Sequence, residues 1–203
     1  MRITGGTYRS RALQAPSGHA TRPTSDRVRE ALFGILASAG AVEGACVLDL
    51  YAGTGALGLE ALSRGATRAV LVESARAAMV ALRANVTALN VGGRAVILAA
   101  NVDVATPRIA REGPFGLVLA DPPWAIVDTG EVAQSLSALV RAGAFAAEAW
   151  VVVEHASRSV PPEVRGLSRF DSRRYGDATL AFYKTAILPA APPRDDAGAP
   201  SQK

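Results

Sequence analysis

Five short stretches of this chain are apolar almost without interruption, and they restrict its fold more than any other feature. Cys46-Val47-Leu48-Asp49-Leu50, Ala69-Val70-Leu71-Val72-Glu73, Ala95 to Leu98, Gly116 to Ala120 and Trp150 to Val153 each read as a strand. A strand with one wet face alternates apolar and polar residues. A continuous run is buried on both faces, which requires a parallel sheet sandwiched by helices, an α/β fold. The intervening segments supply those helices: Ala56 to Arg64, stopped by Gly65; a helix with Met79, Leu82, Val86 and Leu89 inward; and segments near 103 to 112 and 130 to 142. Upstream, Pro23 ends an extended segment, Thr24 can cap, and Val28, Ala31, Leu32, Ile35 and Leu36 share one face, predicting a helix from Thr24 to Gly40. Sheets of this kind bind ligands at the carboxyl ends of their strands.

The two ends of the chain differ from this core. Leu167 to Tyr175 and Thr179 to Lys184 flank the turn dipeptide Gly176-Asp177 and read as an antiparallel hairpin at the sheet edge. Residues 186–203 are rich in Pro and Ala without periodicity, which predicts a disordered tail. Residues 1–29 hold six Arg (2, 9, 11, 22, 27, 29) and one acid, Asp26, a net of +5, whereas the remainder is close to neutral with 16 basic and 17 acidic residues. A basic arm, residues 1–23, thus precedes a domain over 24–185, the charge asymmetry of a nucleic-acid-binding extension. Twenty of the 22 basic residues are Arg. Phosphate recognition favours that planar fork, and a biased genome composition gives the same preference.

Other classes are excluded by what is scarce. One cysteine, Cys46, rules out a disulfide framework and a Cys-based zinc site, and His19 and His155 lie too far apart in sequence to suggest a metal centre. Cys46 reads as a small core residue at a strand start. The opening residues lack an apolar signal core, and no uncharged apolar stretch reaches the roughly 18 residues of a membrane span, so the expectation is a soluble cytoplasmic protein.

The strand ending near Asp49 runs into Leu50-Tyr51-Ala52-Gly53-Thr54-Gly55-Ala56-Leu57-Gly58. Gly53 and Gly55 permit a tight turn and a close approach of backbone to ligand. The spacing fits GxGxxG, so a dinucleotide is one candidate. S-adenosylmethionine is favoured because the Asp49 carboxylate suits an ammonium group and would repel a pyrophosphate. Glu73, at the end of the second strand, can accept ribose hydroxyls from either cofactor. Asn101 can border an adenine through its side chain or through the Val102 amide, and Asp103 can equally cap a helix.

After the fourth strand comes Asp121-Pro122-Pro123-Trp124. The lone pair of an exocyclic base amine is delocalised into the ring, so an acceptor pair must hold its hydrogens and turn the lone pair toward the methyl donor. The Asp121 carboxylate and the Pro122 carbonyl can do this, since consecutive prolines fix the backbone and bring no competing N–H. Trp124 can stack on a flipped-out base, worth roughly 1 to 3 kcal/mol. Transfer then rests on in-line positioning and needs no nucleophilic side chain.

Together with Arg22-Pro-Thr-Ser-Asp26-Arg-Val-Arg-Glu30-Ala-Leu-Phe33 and Arg174-Tyr-Gly-Asp177, the glycine loop and Asp121-Pro-Pro-Trp124 resemble the RsmD family of 16S rRNA guanine-N2 methyltransferases, over about residues 1 to 185. The resemblance implies a seven-stranded, mostly parallel class I methyltransferase sheet with helices on both faces. It also implies S-adenosylmethionine as donor and one guanine of 16S rRNA, in an assembling small subunit, as acceptor. Asp49, Gly53, Gly55 and Glu73 match the family's cofactor motif and Asp121 to Trp124 its catalytic one. Trp124 stands where Tyr or Phe is usual, Tyr51 where Phe is common, and Asn101 where many class I enzymes place an acid. Arg22, Arg27 and Arg29 match the basic opening helix, which either contacts RNA or closes over the cofactor. Arg2, Arg9 and Arg11 can join them along a phosphate backbone, with Arg173 and Arg174 of the hairpin as a second contact. A monomer is the default for a small domain approaching a large particle. The competing readings are a methyltransferase of DNA or another RNA amine, a dehydrogenase, and a non-catalytic RNA-binding assembly factor.

Overall fold

The computed structural model describes residues 1–15 and 25–186. Its elements run α1 (Asp26–Ser38), β1 (Cys46–Leu50), α2 (Ala56–Ser63), β2 (Arg68–Glu73), α3 (Arg76–Ala88), β3 (Ala95–Ala99), α4 (Val102–Glu112), β4 (Phe115–Ala120), α5 (Trp124–Asp128), α6 (Glu131–Arg141), β5 (Phe145–Ala156), β6 (Leu167–Tyr175) and β7 (Ala178–Thr185). The strands form one sheet in the order β3-β2-β1-β4-β5-β7-β6. The first five are parallel and β7 is antiparallel to both of its neighbours. This is the seven-stranded, mostly parallel sheet with a C-terminal antiparallel hairpin that was expected.

Burial on both faces follows the side-chain alternation of each strand. Val47, Leu71, Leu117 and Val152 pack on one side with Leu32, Phe33, Leu59 and Leu82. Leu48, Val70, Val118 and Val151 pack on the other with Ile109, Leu136 and Leu139. Sequence order reverses at β1, which has β2 on one flank and β4 on the other, and the crevice of such a sheet opens at that reversal. No helix among the described residues is long and apolar enough to cross a membrane.

The structure departs from expectation in three elements. Helix α1 begins at Asp26, because Ser25 accepts the Val28 N–H through its side chain and serves as the cap; Pro23 and Thr24 lie outside the described residues. β5 starts five residues before Trp150, since its first half is half-exposed and carries Glu148 at φ 57°, which breaks the apolar run. α5 is five residues long, too short to show a helical period. The hairpin lies at the sheet edge as expected, with β6 outermost. The predicted tail, apart from Ala186, lies outside the described residues.

The described part of the basic arm is docked on the domain. Ile3 and Leu13 are buried in the core, and Arg2 bridges Ala12. Glu60, a lone acid in the apolar helix α2, accepts the Thr4 and Gly5 N–H groups at 2.8 and 2.9 Å and pairs with Arg29 at 3.3 Å and Arg64 at 2.7 Å. Arg29 is fully buried, also binds Asp26 at 2.8 Å and donates to the Arg2 carbonyl. The expectation that Arg29 faces RNA is therefore corrected. A buried carboxylate needs cationic partners, and Arg29 is one of them.

Candidate active site

Strand register brings the carboxyl ends of β1, β2 and β4 level, with Leu50 opposite both Val72 and Ala120. Asp49 pairs with Leu71 and Leu119, both in the cluster beneath α1, α2 and α3, so its side chain lies on that face of the sheet. It is 1% exposed. Its Oδ2 accepts the Gly58 N–H at 2.8 Å, and its Oδ1 is buried without a partner. Burial pushes its pKa up to about 8, opposed by the Gly58 hydrogen bond and reinforced by the charges of Asp121 and Glu73.

The loop after β1 is built from unusual backbone. Tyr51 has φ 58°, strained for an aromatic residue, and its half-buried hydroxyl lies beside Ser135, which donates to Asp103. Burial raises the Tyr51 pKa. Gly55 has φ 82°, and a Cβ there would lie 2.5 Å from Leu82. Gly53 has φ 57° and no neighbour nearer to an added Cβ than the Tyr51 carbonyl at 4.0 Å, so the loop is open on that flank. Glu73 holds the loop from β2: Oε2 accepts the Gly53 N–H at 2.7 Å, and Oε1 accepts those of Ser74 and Ala75 at 2.8 and 2.6 Å. A carboxylate has about four acceptor sites, so about one is left for a ribose hydroxyl.

Asn85 of α3, not singled out by sequence reasoning, clamps this loop to the N-terminal segment. It accepts the Gln14 N–H at 2.7 Å and donates to the carbonyls of Gln14 at 3.1 Å and Thr54 at 3.0 Å. An Asn on the inward face of a helix is the signal that could have found it. Asn85→Ala leaves those groups unsatisfied and is expected to cost about 1 to 3 kcal/mol, read as a lower urea midpoint with an unchanged slope.

Asp121 directly follows the end of β4 at Ala120, close enough to Asp49 for its charge to act on that group. Pro122 is buried, Pro123 is exposed, and Trp124, half-buried, opens α5. Asn101 is exposed at the start of α4 and forms no capping bond with its side chain. The Val102 side chain is in the core. Arg2, Arg9, Arg11 and Arg27 are exposed, and Arg22 lies outside the described residues. On β6, Arg173 pairs with Asp171 at 2.8 Å and Arg174 donates to the Gly176 carbonyl at 3.1 Å.

These acceptors fit S-adenosylmethionine better than a dinucleotide. The orphaned Asp49 oxygen is an acceptor awaiting a donor, such as an ammonium group; a pyrophosphate would add negative charge beside a carboxyl that two other acids already oppose.

The profile of the family described as conserved hypothetical protein 95 matches residues 1–184. Ribosomal RNA small subunit methyltransferase D of Escherichia coli is 40% identical over 154 residues, 76% of this chain and 74% of that protein. A solved Escherichia coli structure superposes with a TM-score of 0.77 at 36% identity, covering 93% of this chain and 99% of the other. A hypothetical protein of Thermus thermophilus gives 0.73 at 32% identity, covering 90% and 98%.

Proposed function

The chain belongs to the conserved hypothetical protein 95 (RsmD) family, and from that membership we propose that it methylates the N2 amine of one guanine in small-subunit (16S) ribosomal RNA, using S-adenosylmethionine. The observation that carries this reading is the placement of Asp121-Pro122-Pro123-Trp124 directly after β4, the strand that pairs with β1 ahead of the glycine loop, with the Asp121 and Asp49 carboxylates within electrostatic reach of each other. The name of the Escherichia coli relative supports ribosomal RNA as the acceptor. When bound, S-adenosylmethionine supplies a methyl group on a cationic sulfur.

The residues divide the work. The Asp49 carboxylate holds the ammonium group, the remaining acceptor site of Glu73 takes a ribose hydroxyl, and Asn101 or the Val102 N–H borders the adenine. Tyr51, Gly53 and Gly55 shape the loop and keep it open to the ligand. The Asp121 carboxylate and the Pro122 carbonyl accept the two amine hydrogens, which directs the nitrogen lone pair along the line of displacement. Pro123 stiffens that turn, and Trp124 stacks on the base. Arg2, Arg9, Arg11, Arg27, Arg173 and Arg174 contact phosphates. The enzyme acts as a monomer, in the cytoplasm, on an assembling small subunit.

The test is incubation with labelled S-adenosylmethionine and each of three acceptors: naked small-subunit RNA, undermethylated small subunits, and duplex DNA. N2-methylguanosine from RNA or subunits is expected on nucleoside digestion and mass spectrometry. A methylated DNA base instead would overturn the substrate, and no product from any acceptor would overturn the activity. The arginine roles carry a separate expectation. Arg9→Ala with Arg11→Ala should lower RNA affinity and flatten the plot of log affinity against log salt by about 0.7 to 0.9 per lost phosphate contact. Affinity for S-adenosylhomocysteine should not change.

A further inference from the structure

Glu154 lies near the end of β5, in its buried half, and is 8% exposed. Its partner across β7 is Leu180, which belongs to the same core cluster as Leu119 and Val152. Ala120 pairs with Val153, so Glu154 of β5 and Asp121, the first residue after β4, each stand one residue past the last paired position of the two strands. Adjacent strands lie about 4.8 Å apart. A buried carboxylate is informative in a way that a buried leucine is not, and the roles assigned above leave it unused.

Guanine presents two neighbouring donors on its pairing edge, N1–H and the N2 amine, whereas the N1 of adenine is a bare acceptor. Two acids, each one residue past the last β4–β5 pair, match the donor pair. We propose that Glu154 accepts the N1–H of the target guanine while Asp121 and the Pro122 carbonyl hold its N2 amine, which makes Glu154 the residue that selects guanine. This rests on guanine N2 being the acceptor. A purine with an unprotonated N1 sets a lone pair against the Glu154 carboxylate, and a site built to receive a hydrogen rejects an analogue that lacks it.

The wild-type protein is first given transcribed 16S rRNA, and the methylated guanine is located by mass spectrometry of nuclease fragments. The same RNA is then rebuilt by ligation with 2-aminopurine at that position, which keeps the N2 amine and presents a bare N1. Wild type is expected to prefer guanine by about 100-fold or more in kcat/KM. Glu154→Gln, whose amide donates as well as accepts, should lose about 10- to 100-fold on guanine and bring the preference within about tenfold. Affinity for S-adenosylhomocysteine should stay at the wild-type value. An unchanged preference in folded Glu154→Gln, or equal use of both bases by wild type, overturns the assignment. If Glu154→Gln does not fold, Glu154→Asp should keep the preference for guanine at a reduced rate, and an undiminished rate overturns the assignment. Absence of N2-methylguanosine from both the natural RNA and undermethylated small subunits with wild type removes the underlying reading, and this is seen before any Glu154 variant is made.

Discussion

Asp121→Ala is expected to lower the rate of methyl transfer by on the order of 10³-fold or more while leaving the affinity for S-adenosylhomocysteine within a few-fold of wild type. The argument begins with the acceptor. A conjugated amine has its lone pair delocalised into the π system of its ring, so displacement needs both hydrogens held and the nitrogen turned. Pro122 brings a carbonyl and no N–H, and Asp121 brings a charged acceptor beside it. Removing the carboxylate leaves the base free to stack on Trp124 without presenting its lone pair. Binding and chemistry therefore separate, with kcat falling and the KM for RNA nearly constant. Stopped-flow single-turnover assays and calorimetric titration with S-adenosylhomocysteine measure the two sides independently. A loss of cofactor affinity as large as the loss of rate would mean that Asp121 belongs to the cofactor site.

Much of the fold was legible in the sequence. β1 spans the run Cys46 to Leu50 as read from the sequence, and Met79, Leu82, Val86 and Leu89 all turned inward, because burial on both faces leaves an unmistakable apolar signature. What escaped was set by contacts distant in sequence. Arg29 looked like its neighbour Arg27 until Glu60, 31 residues later, was found beside it. Asn85 lies 71 residues from the Gln14 backbone it binds. Glu154 gained meaning only from strand pairing, since β4 and β5 become neighbours in the sheet while α5 and α6 intervene in sequence. Local patterns thus marked the loop after β1 and the turn after β4, and tertiary pairing decided that Arg29 is a strut.

Asp49→Asn is expected to make the ligand-free protein more stable at pH 8 and much weaker in cofactor binding, two effects of one buried charge. The folded-state pKa of Asp49, about 8, lies above the ordinary carboxylate value near 4. Between those values the unfolded chain has released a proton that the folded chain still holds. Stability of the ligand-free protein therefore falls as pH rises from about 4 to about 8, and is level on either side. Asparagine cannot ionise, so the variant escapes this loss. At pH 8 its melting temperature should exceed that of wild type by at least roughly 2 to 4 °C, about 1 kcal/mol, with the advantage shrinking toward pH 4. Binding runs the other way. An ammonium group is held by the ionised form of Asp49, so wild-type affinity for S-adenosylhomocysteine should rise between pH 6 and pH 8. In Asp49→Asn it should be flat and weaker by about 2 to 5 kcal/mol, the usual result of removing one partner of a buried charge pair. Differential scanning calorimetry and isothermal titration over that pH range read both effects. A variant destabilised at pH 8 with unchanged affinity would show that the orphaned oxygen serves the fold and not the ligand.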